Sequence, residues 1–330
     1  MGSFKIKLNT PVYFVSWANA AASAEGKGPL AGKIDMIFQD DMLEQISWEK
    51  AESSLFEYAV NSALTKSGMD KSAISFMSGG DLLNQIISAS YSARNIGIPF
   101  LGLYGACSTF AESLIINSLV LSAGYGKYAI SATSSHFSSA ERQYRYPLEY
   151  GNQRPMTSQR TVTGAGAALI TNIPNDNPHI TDICIGGVVD LGINDPANMG
   201  AAMAPSAADT ISSQIANPSL GPDYYDKIIT GDLGKLGSKL LLELMKEKGF
   251  DISKTYTDCG LEIYPVNDQD CGGSGCGCSA VVITAKYLDE LKKKNLNRIL
   301  YVATGALLSP TATLQGETIP GVAHGMTIEA

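Results

Sequence analysis

The residue with the clearest chemical potential is a cysteine between an apolar strand and an apolar helix. Cys107 stands in the stretch YGACSTFA (104–111), after a predicted buried strand over 98–103 and before a predicted helix that ends at Gly124. The first amides of a helix and its dipole favour negative charge, so we expect a lowered pKa for this thiol and a place for an anion beside it. The alternative is that Cys107 is a small, inert core residue, since free cysteines are often buried.

A second candidate is the long polar segment 134–160, which interrupts the pattern of strands and helices. It carries four arginines and three tyrosines against two glutamates, a local excess of positive charge in an acidic chain. Long loops in compact domains are often functional, so we predict a binding loop here. A solvated loop or a contact between subunits is the alternative. The strand predicted after it, TVTGAGAALIT (161–171), contains glycines that suit the close approach of a ligand or another backbone.

The composition excludes several classes of function. The chain has 330 residues, 45% hydrophobic residues and a net charge of −8, which argues against general nucleic-acid binding. It has no run of about 18 apolar residues and no apolar block after its first residues, so we expect a cytoplasmic protein without a membrane span. The six cysteines are expected to be reduced, and the spacing of Cys271, Cys276 and Cys278 predicts no metal site. No cofactor is predicted.

The elements that must position these residues alternate along the chain. Helix 48–66 stops at Gly68, strand 73–77 follows, Asp81 is placed as the N-cap of a second helix, and strand 128–132 comes after the cysteine helix. The alternation then restarts, with predicted strands at 180–190, 225–230, 259–264, 298–304 and 322–329 and helices at 232–249 and 278–294. The pattern predicts an α/β fold of two related halves, 1–175 and 176–330.

Four motifs together resemble the thiolase superfamily, which includes the ketoacyl synthases. They are GACS at 105–108, GAG at 164–166, CGGSGCGCSA at 271–280 and TGALLS at 304–309. The resemblance covers nearly the whole chain. It implies a thiolase-like fold, in which two βαβαβ halves pack as a five-layer αβαβα sandwich.

In finer detail, the stretches YGACSTFAE, RQYRYPLEYGNQRP, TVTGAGAA, CGGSGCGCSA and IPGVAHG resemble the stage V sporulation protein AD family of spore-forming bacteria. That resemblance implies a protein that binds dipicolinic acid (pyridine-2,6-dicarboxylate), as the free acid or its calcium salt. It also implies a role in dipicolinate uptake into the forespore and release at germination, with membrane-embedded partner subunits of the same system. A homodimer attached peripherally to the spore inner membrane through those partners is expected.

The resemblance also shows where this chain departs from the enzymes. In the superfamily the cysteine carries an acyl group, and a histidine with a second histidine, asparagine or cysteine from the second half assists it. Here the corresponding turns are ITGDLG (229–234) and GSGC (273–276), which contain neither histidine nor asparagine. Loss of these groups would remove several kcal/mol of transition-state stabilisation. We therefore predict a pocket without catalysis, and we interpret Asp232 as a helix N-cap.

The predicted pocket lies near Cys107, between the halves. A flat dianion is suited by helix N-termini, arginines, hydroxyl groups and an apolar wall. The residues predicted to bind it are Cys107, Ser108, His136, Arg142, Arg145, Arg154, Thr161, Thr163, Ser274, Gly275 and Cys276. Two alternatives stay open: an acyltransferase or condensing enzyme in which Cys107 works with His136 or Cys276, and a structural scaffold with a vestigial pocket.

Overall fold

A computed structural model of the chain describes residues 2–144, 155–216, 222–265 and 268–330. The strands in these ranges are β1 (Phe4–Ala21), β2 (Met36–Ile37), β3 (Phe76–Gly80), β4 (Phe100–Gly102), β5 (Tyr128–Ser135), β6 (Arg160–Thr161), β7 (Gly164–Thr171), β8 (His179–Ile185), β9 (Lys227–Thr230), β10 (Tyr256–Asp258), β11 (Gly273–Ser274), β12 (Arg298–Ala306) and β13 (Gly321–Glu329). The α-helices are α1 (Trp48–Ser67), α2 (Ile87–Ile96), α3 (Thr109–Ser122), α4 (Phe137–Tyr144), α5 (Met199–Ile215), α6 (Gly234–Glu247), α7 (Cys259–Glu262), α8 (Cys276–Val282), α9 (Leu288–Lys292) and α10 (Pro310–Leu314). A π-helical turn, Ile283–Tyr287, joins α8 to α9.

The strand order is the same on both sides of the β1–β8 pair. The main sheet runs β10-β9-β12-β13-β8-β1-β7-β5-β3-β4. Counted outward from the β1–β8 pair, one set of strands is β1, β7, β5, β3 and β4. The other set, in the corresponding positions, is β8, β13, β12, β9 and β10. In each set the first three strands are antiparallel and the last three are parallel. Two similar units therefore share one hydrogen-bonded edge. The predicted boundary between residues 175 and 176 falls between β7 and β8 and stays a prediction.

Helices cover the strands in three layers, which gives the five-layer sandwich that the resemblance implied. Helices α1 and α2 share an apolar core with the first set of strands, and α5 and α6 share one with the second set. Helices α3 and α8 lie between the two sets, and their core contains residues from β1, β7, β8, β12 and β13. The predicted α/β class and thiolase-like architecture are confirmed.

The local signals explain the elements that were predicted correctly. Helix α1 starts after Ser47, whose side-chain oxygen accepts the N–H of Lys50 at 3.3 Å, and it ends at Gly68, which has a left-handed φ of 68°. Helix α3 is also followed by a left-handed glycine, Gly124. The prediction of Asp81 as the N-cap residue of the second helix is wrong, because α2 begins at Ile87 after Ile86; the Asp81 carboxyl still accepts the N–H of Ala89, in the first turn of α2, at 2.7 Å.

Three predicted elements are wrong. The segment 134–160 is not one loop, because β5 continues to Ser135, α4 follows it, and β6 pairs with β11. The strand predicted at 259–264 is the short helix α7, since only the preceding 256–258 pair with β9. The strand predicted at 180–190 stops at Ile185. In each case the pairing partner, which is distant in sequence, decides where the strand ends.

Among the helices in the described ranges, none combines the length and the hydropathy that a membrane span requires.

Candidate functional site

Cys107 lies in a single 3-10 turn, Ala106–Ser108, that joins the strand β4 to the helix α3. Ala106 has a φ of 52°, a left-handed conformation that a residue with a side chain rarely adopts. The turn is held by two side-chain hydrogen bonds: Ser108 Oγ donates to the carbonyl of Gly105 at 2.7 Å, and Thr109 Oγ1 donates to that of Ala106 at 2.6 Å. The backbone is thus fixed in the shape that places Cys107 at a cavity.

The cavity beside Cys107 has a volume of about 300 Å³. Its apolar lining comes from both halves of the chain and includes Leu82, Ala140, Met199, Ala306, Leu307, Leu308 and Pro310. Its polar groups are hydroxyls and one amide, from Asn84, Tyr104, Tyr144, Thr161, Ser274 and Ser309. Within the described ranges, no acidic or basic side chain lines it. An apolar pocket with a few convergent donors is typical of a small-molecule site.

A buried carboxyl lies behind the thiol. Ser274 Oγ is 3.8 Å from Cys107 Sγ and donates to Asp232 Oδ2 at 3.0 Å. The same oxygen accepts the N–H of Gly275 at 3.0 Å, and Asp232 Oδ1 accepts Thr304 Oγ1 at 2.8 Å. Asp232 is 1% exposed. The acid therefore connects the cysteine turn to β11 and β12 of the second half.

Burial and this carboxyl together raise the pKa of the thiol, against the prediction. Burial raises the pKa of Cys107 well above its ordinary value, and the charge and hydrogen bond of Asp232 raise it further. Burial also raises the pKa of Asp232, although hydrogen bonds from Cys107, Gly275, Thr304 and Ser274 act against that rise. The helix dipole is too weak to overcome these two effects. The expectation of a lowered thiol pKa is wrong, and the Cys107 side chain is held as a neutral thiol.

The interpretation of Asp232 as an N-cap is also wrong. The start of α6 is capped by Asp258, which accepts the N–H of Leu233 at 2.8 Å and that of Gly234 at 3.0 Å. Asp258 Oδ2 further accepts the hydroxyl of Thr230 at 2.6 Å. Because another acid satisfies the helix, Asp232 is available to the cysteine site.

Of the residues predicted to bind a ligand, Cys107, Thr161 and Ser274 line the cavity. Cys276 packs against Cys107 from behind, and its thiol donates to the carbonyl of Ser134 at 2.9 Å. Four further candidates, Ser108, His136, Thr163 and Gly275, lie outside the lining. The amide of Ser108 is already bonded to the carbonyl of Gly105, so it is not available to an anion.

His136 and Thr163 make bonds within the protein. The His136 Nε2 atom donates to the carbonyl of Asp41 at 2.8 Å, and burial lowers the pKa of this imidazole. Thr163 accepts the N–H of Phe137 at 3.1 Å, and its own N–H donates to Glu25. Both residues connect elements next to the cavity, and a direct role in ligand binding stays a prediction.

The predicted arginines divide into two groups. Arg142 is 49% exposed, pairs with Glu49 and lies over the ring of Trp48, with 5.0 Å between the guanidinium carbon and the ring centre. It lines a separate cavity, together with Leu83, Gln85 and Ser139 among others. Arg145 and Arg154 lie outside the described residues, and their roles stay predictions.

The sequence reasoning missed the partners of the thiol and two tyrosines. Asp232 stands in the turn ITGDLG (229–234), but nothing near it in sequence indicates its bonds to Thr304 and Ser274. The hydroxyls of Tyr104 and Tyr144 lie 2.8 Å apart at the wall of the cavity. Tyr104 was part of the cysteine motif, so its position was the one available signal.

Comparisons with known proteins agree with this architecture. The family model for stage V sporulation protein AD matches residues 2–329. The stage V sporulation protein AD of Bacillus subtilis (strain 168) is 47% identical over 320 residues, which cover 97% of this chain and 94% of that protein. Cerulenin-bound OleA of Xanthomonas campestris has a TM-score of 0.65 at 14% identity, with 98% of this chain and 100% of that one covered. Human mitochondrial 3-ketoacyl-CoA thiolase in complex with CoA has a TM-score of 0.63 at 14% identity, with 98% and 99% covered.

The two structural likenesses show a thiolase-like fold, and at 14% identity they show the fold alone. The family match extends over almost every residue, including the cysteine turn and the strand that carries Ser274. The chain belongs to the stage V sporulation protein AD family.

Proposed function

We propose that this chain is a non-catalytic, thiolase-like protein that binds dipicolinic acid in the cavity beside Cys107. The observation that carries the proposal is the setting of the thiol, which lines a cavity of about 300 Å³ while burial and a buried carboxyl, Asp232, raise its pKa. A carboxyl raises the pKa of a thiol, whereas a nucleophile needs a base or cation that lowers it. Among the described groups that act most strongly on this thiol, none is a base or a cation, which supports a pocket without a nucleophile.

The lining suits a flat ring that carries carboxylates. The hydroxyls of Tyr104, Thr161 and Ser309 are donors for carboxylate oxygens, and the apolar side chains of Leu82 and Leu308 offer surface to the faces of the ring. A dianion in such a cavity also needs positive charge. We assign this role to Arg145 and Arg154 on sequence grounds, and Tyr144, which precedes Arg145 in the chain, lines the cavity.

The wider role in this proposal is dipicolinate uptake into the forespore and its release at germination. It rests on the resemblance to the sporulation family, which also supports membrane-embedded partner subunits, peripheral attachment to the spore inner membrane and a homodimer. Light scattering on the purified chain tests the dimer. Co-purification with the membrane subunits tests the attachment.

Isothermal titration with dipicolinate tests the binding site. The hydroxyl of Thr161 would bond a charged oxygen, so Thr161→Val should weaken binding about 10-fold to 100-fold, in line with about 1.5–3 kcal/mol for such a bond. Arg154→Gln should weaken it at least as much. Cys107→Ala should leave affinity within about 3-fold, since a neutral thiol offers an anion little.

Arg142→Ala is the matched control, because this arginine pairs with Glu49 away from the cavity. The Arg142→Ala variant should bind dipicolinate with the same affinity as the native chain. No heat with the native chain up to millimolar ligand would contradict direct binding and favour the scaffold interpretation. A stable acyl adduct on Cys107 after incubation with acyl-CoA, detected by intact mass, would favour the acyltransferase interpretation.

A further inference from the structure

The cavity beside Cys107 has a deep end and a mouth. The deep end is defined as the side chains of Cys107, which is 6% exposed, and Ser274, which is 1% exposed. Three other polar residues of the lining, Asn84, Tyr104 and Ser309, are exposed, and they form the mouth. A ligand therefore enters past the mouth and meets Cys107 and Ser274 last.

The hydrogen atoms of the deep end are used within the protein. The Ser274 hydroxyl has one hydrogen, which it donates to Asp232 Oδ2 at 3.0 Å. At the 3.8 Å contact between Cys107 Sγ and Ser274 Oγ, the serine can therefore only accept, so the thiol is the donor. Asp232 itself lies outside the lining. What these two side chains offer to a ligand is the lone pairs of sulfur and oxygen.

Asp232 also takes two further donors that an anion could otherwise use. Its Oδ2 atom accepts the N–H of Gly275 at 3.0 Å, and its Oδ1 atom accepts the hydroxyl of Thr304 at 2.8 Å. Three hydrogen bonds into one carboxyl favour its ionised form. Among the described groups that act most strongly on Asp232, none is a lysine or an arginine. The deep end therefore has an uncompensated negative charge behind it.

Side-chain donors for a carboxylate lie elsewhere on the lining. Ser309 Oγ accepts the N–H of Ala312 at 3.3 Å, which leaves the hydrogen of this hydroxyl available. Thr161 is the partner of Ser274 in the β6–β11 pair, and its hydroxyl makes no hydrogen bond within the described residues. A carboxylate can thus bond Thr161 and Ser309, whereas the side chains of the deep end offer it only acceptors.

Dipicolinate has two unlike edges. One edge carries the ring nitrogen and the two flanking carboxylates, which are all acceptors, and the opposite edge carries three C–H groups. With the first edge at the deep end, lone pairs would face lone pairs and both carboxylates would approach Asp232. With the C–H edge there, neither conflict arises.

We propose that the deep end determines specificity by rejecting carboxylates and admitting hydrogen-bond donors or C–H groups, so that dipicolinate lies with ring position 4 at Ser274 and with its nitrogen and carboxylates toward the mouth. Ser274 contacts the ligand, and Asp232 is a positioning residue that acts through Ser274 and Cys107. The orientation of dipicolinate rests on the function proposed above. The preference for the sign of charge does not, because it follows from the side chains alone.

Charged thiol reagents test the preference for the sign of charge without dipicolinate. Aminoethyl methanethiosulfonate is cationic and sulfonatoethyl methanethiosulfonate is anionic; each transfers its alkylthio group to a thiolate and releases methanesulfinate. The ratio of the two rates cancels the thiolate fraction. At Cys107, followed by peptide mass mapping, the cation-to-anion ratio should exceed that of 2-mercaptoethanol about 10-fold, because Asp232 attracts one reagent and repels the other.

Asp232→Asn removes the charge and should lower this ratio about 10-fold toward that of the small thiol. Asp258→Asn is the matched control, since it makes the same change at a buried acid that caps α6, and it should keep the ratio within about 2-fold of the native value. A native ratio no higher than that of 2-mercaptoethanol, or an equal ratio in Asp232→Asn, overturns the preference.

Two dipicolinate analogues test the orientation by isothermal titration. The 4-hydroxymethyl and 4-ethyl derivatives have substituents of the same size and no added charge, but only the first can donate to Ser274. The ratio of their dissociation constants, ethyl over hydroxymethyl, should fall about 10-fold from the native chain to Ser274→Ala. Ser309→Ala, at the mouth, is the matched control and should keep the native ratio even if both derivatives bind more weakly.

The outcomes separate the orientation from the proposed function. Binding of both derivatives with an equal ratio in the native chain and Ser274→Ala overturns the orientation and leaves dipicolinate as the ligand. If neither dipicolinate nor its derivatives bind while the reagent ratio behaves as expected, the ligand is refuted and the preference for the sign of charge stands. The native reagent ratio and Ser274→Ala decide the matter if Asp232→Asn does not fold.

Discussion

The strongest test of the cysteine site is the replacement of its buried acid by an amide of the same shape. In Asp232→Asn, the amide oxygen can accept Ser274 and the N–H of Gly275, while the amide nitrogen donates to the hydroxyl of Thr304. The fold should therefore persist. What changes is the charge behind the thiol.

The size of the effect follows from the electrostatics. Two unit charges ~5 Å apart at an effective dielectric constant of about 20 repel by about 3 kcal/mol, which is ~2 pKa units. Removal of the Asp232 charge should lower the Cys107 pKa by that amount and raise the thiolate fraction at pH 8.5 about 100-fold. A less basic thiolate is a weaker nucleophile, with a Brønsted slope of about 0.4–0.5, so the net gain in alkylation rate is about 10-fold.

The assay is carbamidomethylation of Cys107 by iodoacetamide, followed by peptide mass mapping. Cys107→Ala identifies the peptide, and Asp258→Asn makes the same chemical change at a buried acid that caps α6. The Asp258 variant should react within about 3-fold of the native rate. Equal rates for the native chain and Asp232→Asn would refute the claim that the charge of Asp232 raises the pKa of the thiol.

Further predictions concern stability. Burial raises the pKa of Glu25 and Asp258 to about 7, so the stability that these groups contribute at acidic pH is lost as the pH rises through 7. The free energy of unfolding, measured with urea, should therefore be lower by about 1–2 kcal/mol at pH 8 than at pH 6.5. An unchanged free energy of unfolding over that interval would contradict this prediction. The comparison stays above pH 6.5 because histidines with a lowered pKa act in the opposite sense below it. Leu114→Ala, in the fully buried side of α3, should cost about 2–5 kcal/mol by the same measurement, and a loss under 1 kcal/mol would contradict the packing. Gly275→Ala should destabilise more than Gly124→Ala, since both have a left-handed φ but only at Gly275 does an added methyl group meet neighbouring atoms.

The helices and the fold class could be predicted from sequence because their signals are local. Ser47 and Gly68 mark the two ends of α1, and the apolar run between the cysteine motif and Gly124 marks α3. Such signals need only the residues of the element itself. The five-layer architecture came from the resemblance, which rested on the four glycine-rich motifs.

The chemistry of the site could not be predicted, because it depends on contacts between distant residues. Asp232 precedes a helix and therefore looked like an N-cap, yet Asp258 caps that helix and Asp232 faces Ser274 and Thr304. The acidity of Cys107 was predicted from its position at a helix start alone. Burial and the charge of Asp232 reverse it, and both depend on the second half of the chain.

The arrangement of the layers also constrains how the chain is made. Phe4 at the start of β1 pairs with Ile185 in β8, and the buried face of α3 packs against strands that are synthesised much later, such as β13. During translation, the first half emerges with this helix face uncovered and with one edge of β1 unpaired. Contacts so distant in sequence form slowly, and exposed strand edges promote aggregation. Until β8 and β13 have been synthesised, the nascent first half therefore exposes an apolar helix face and a strand edge.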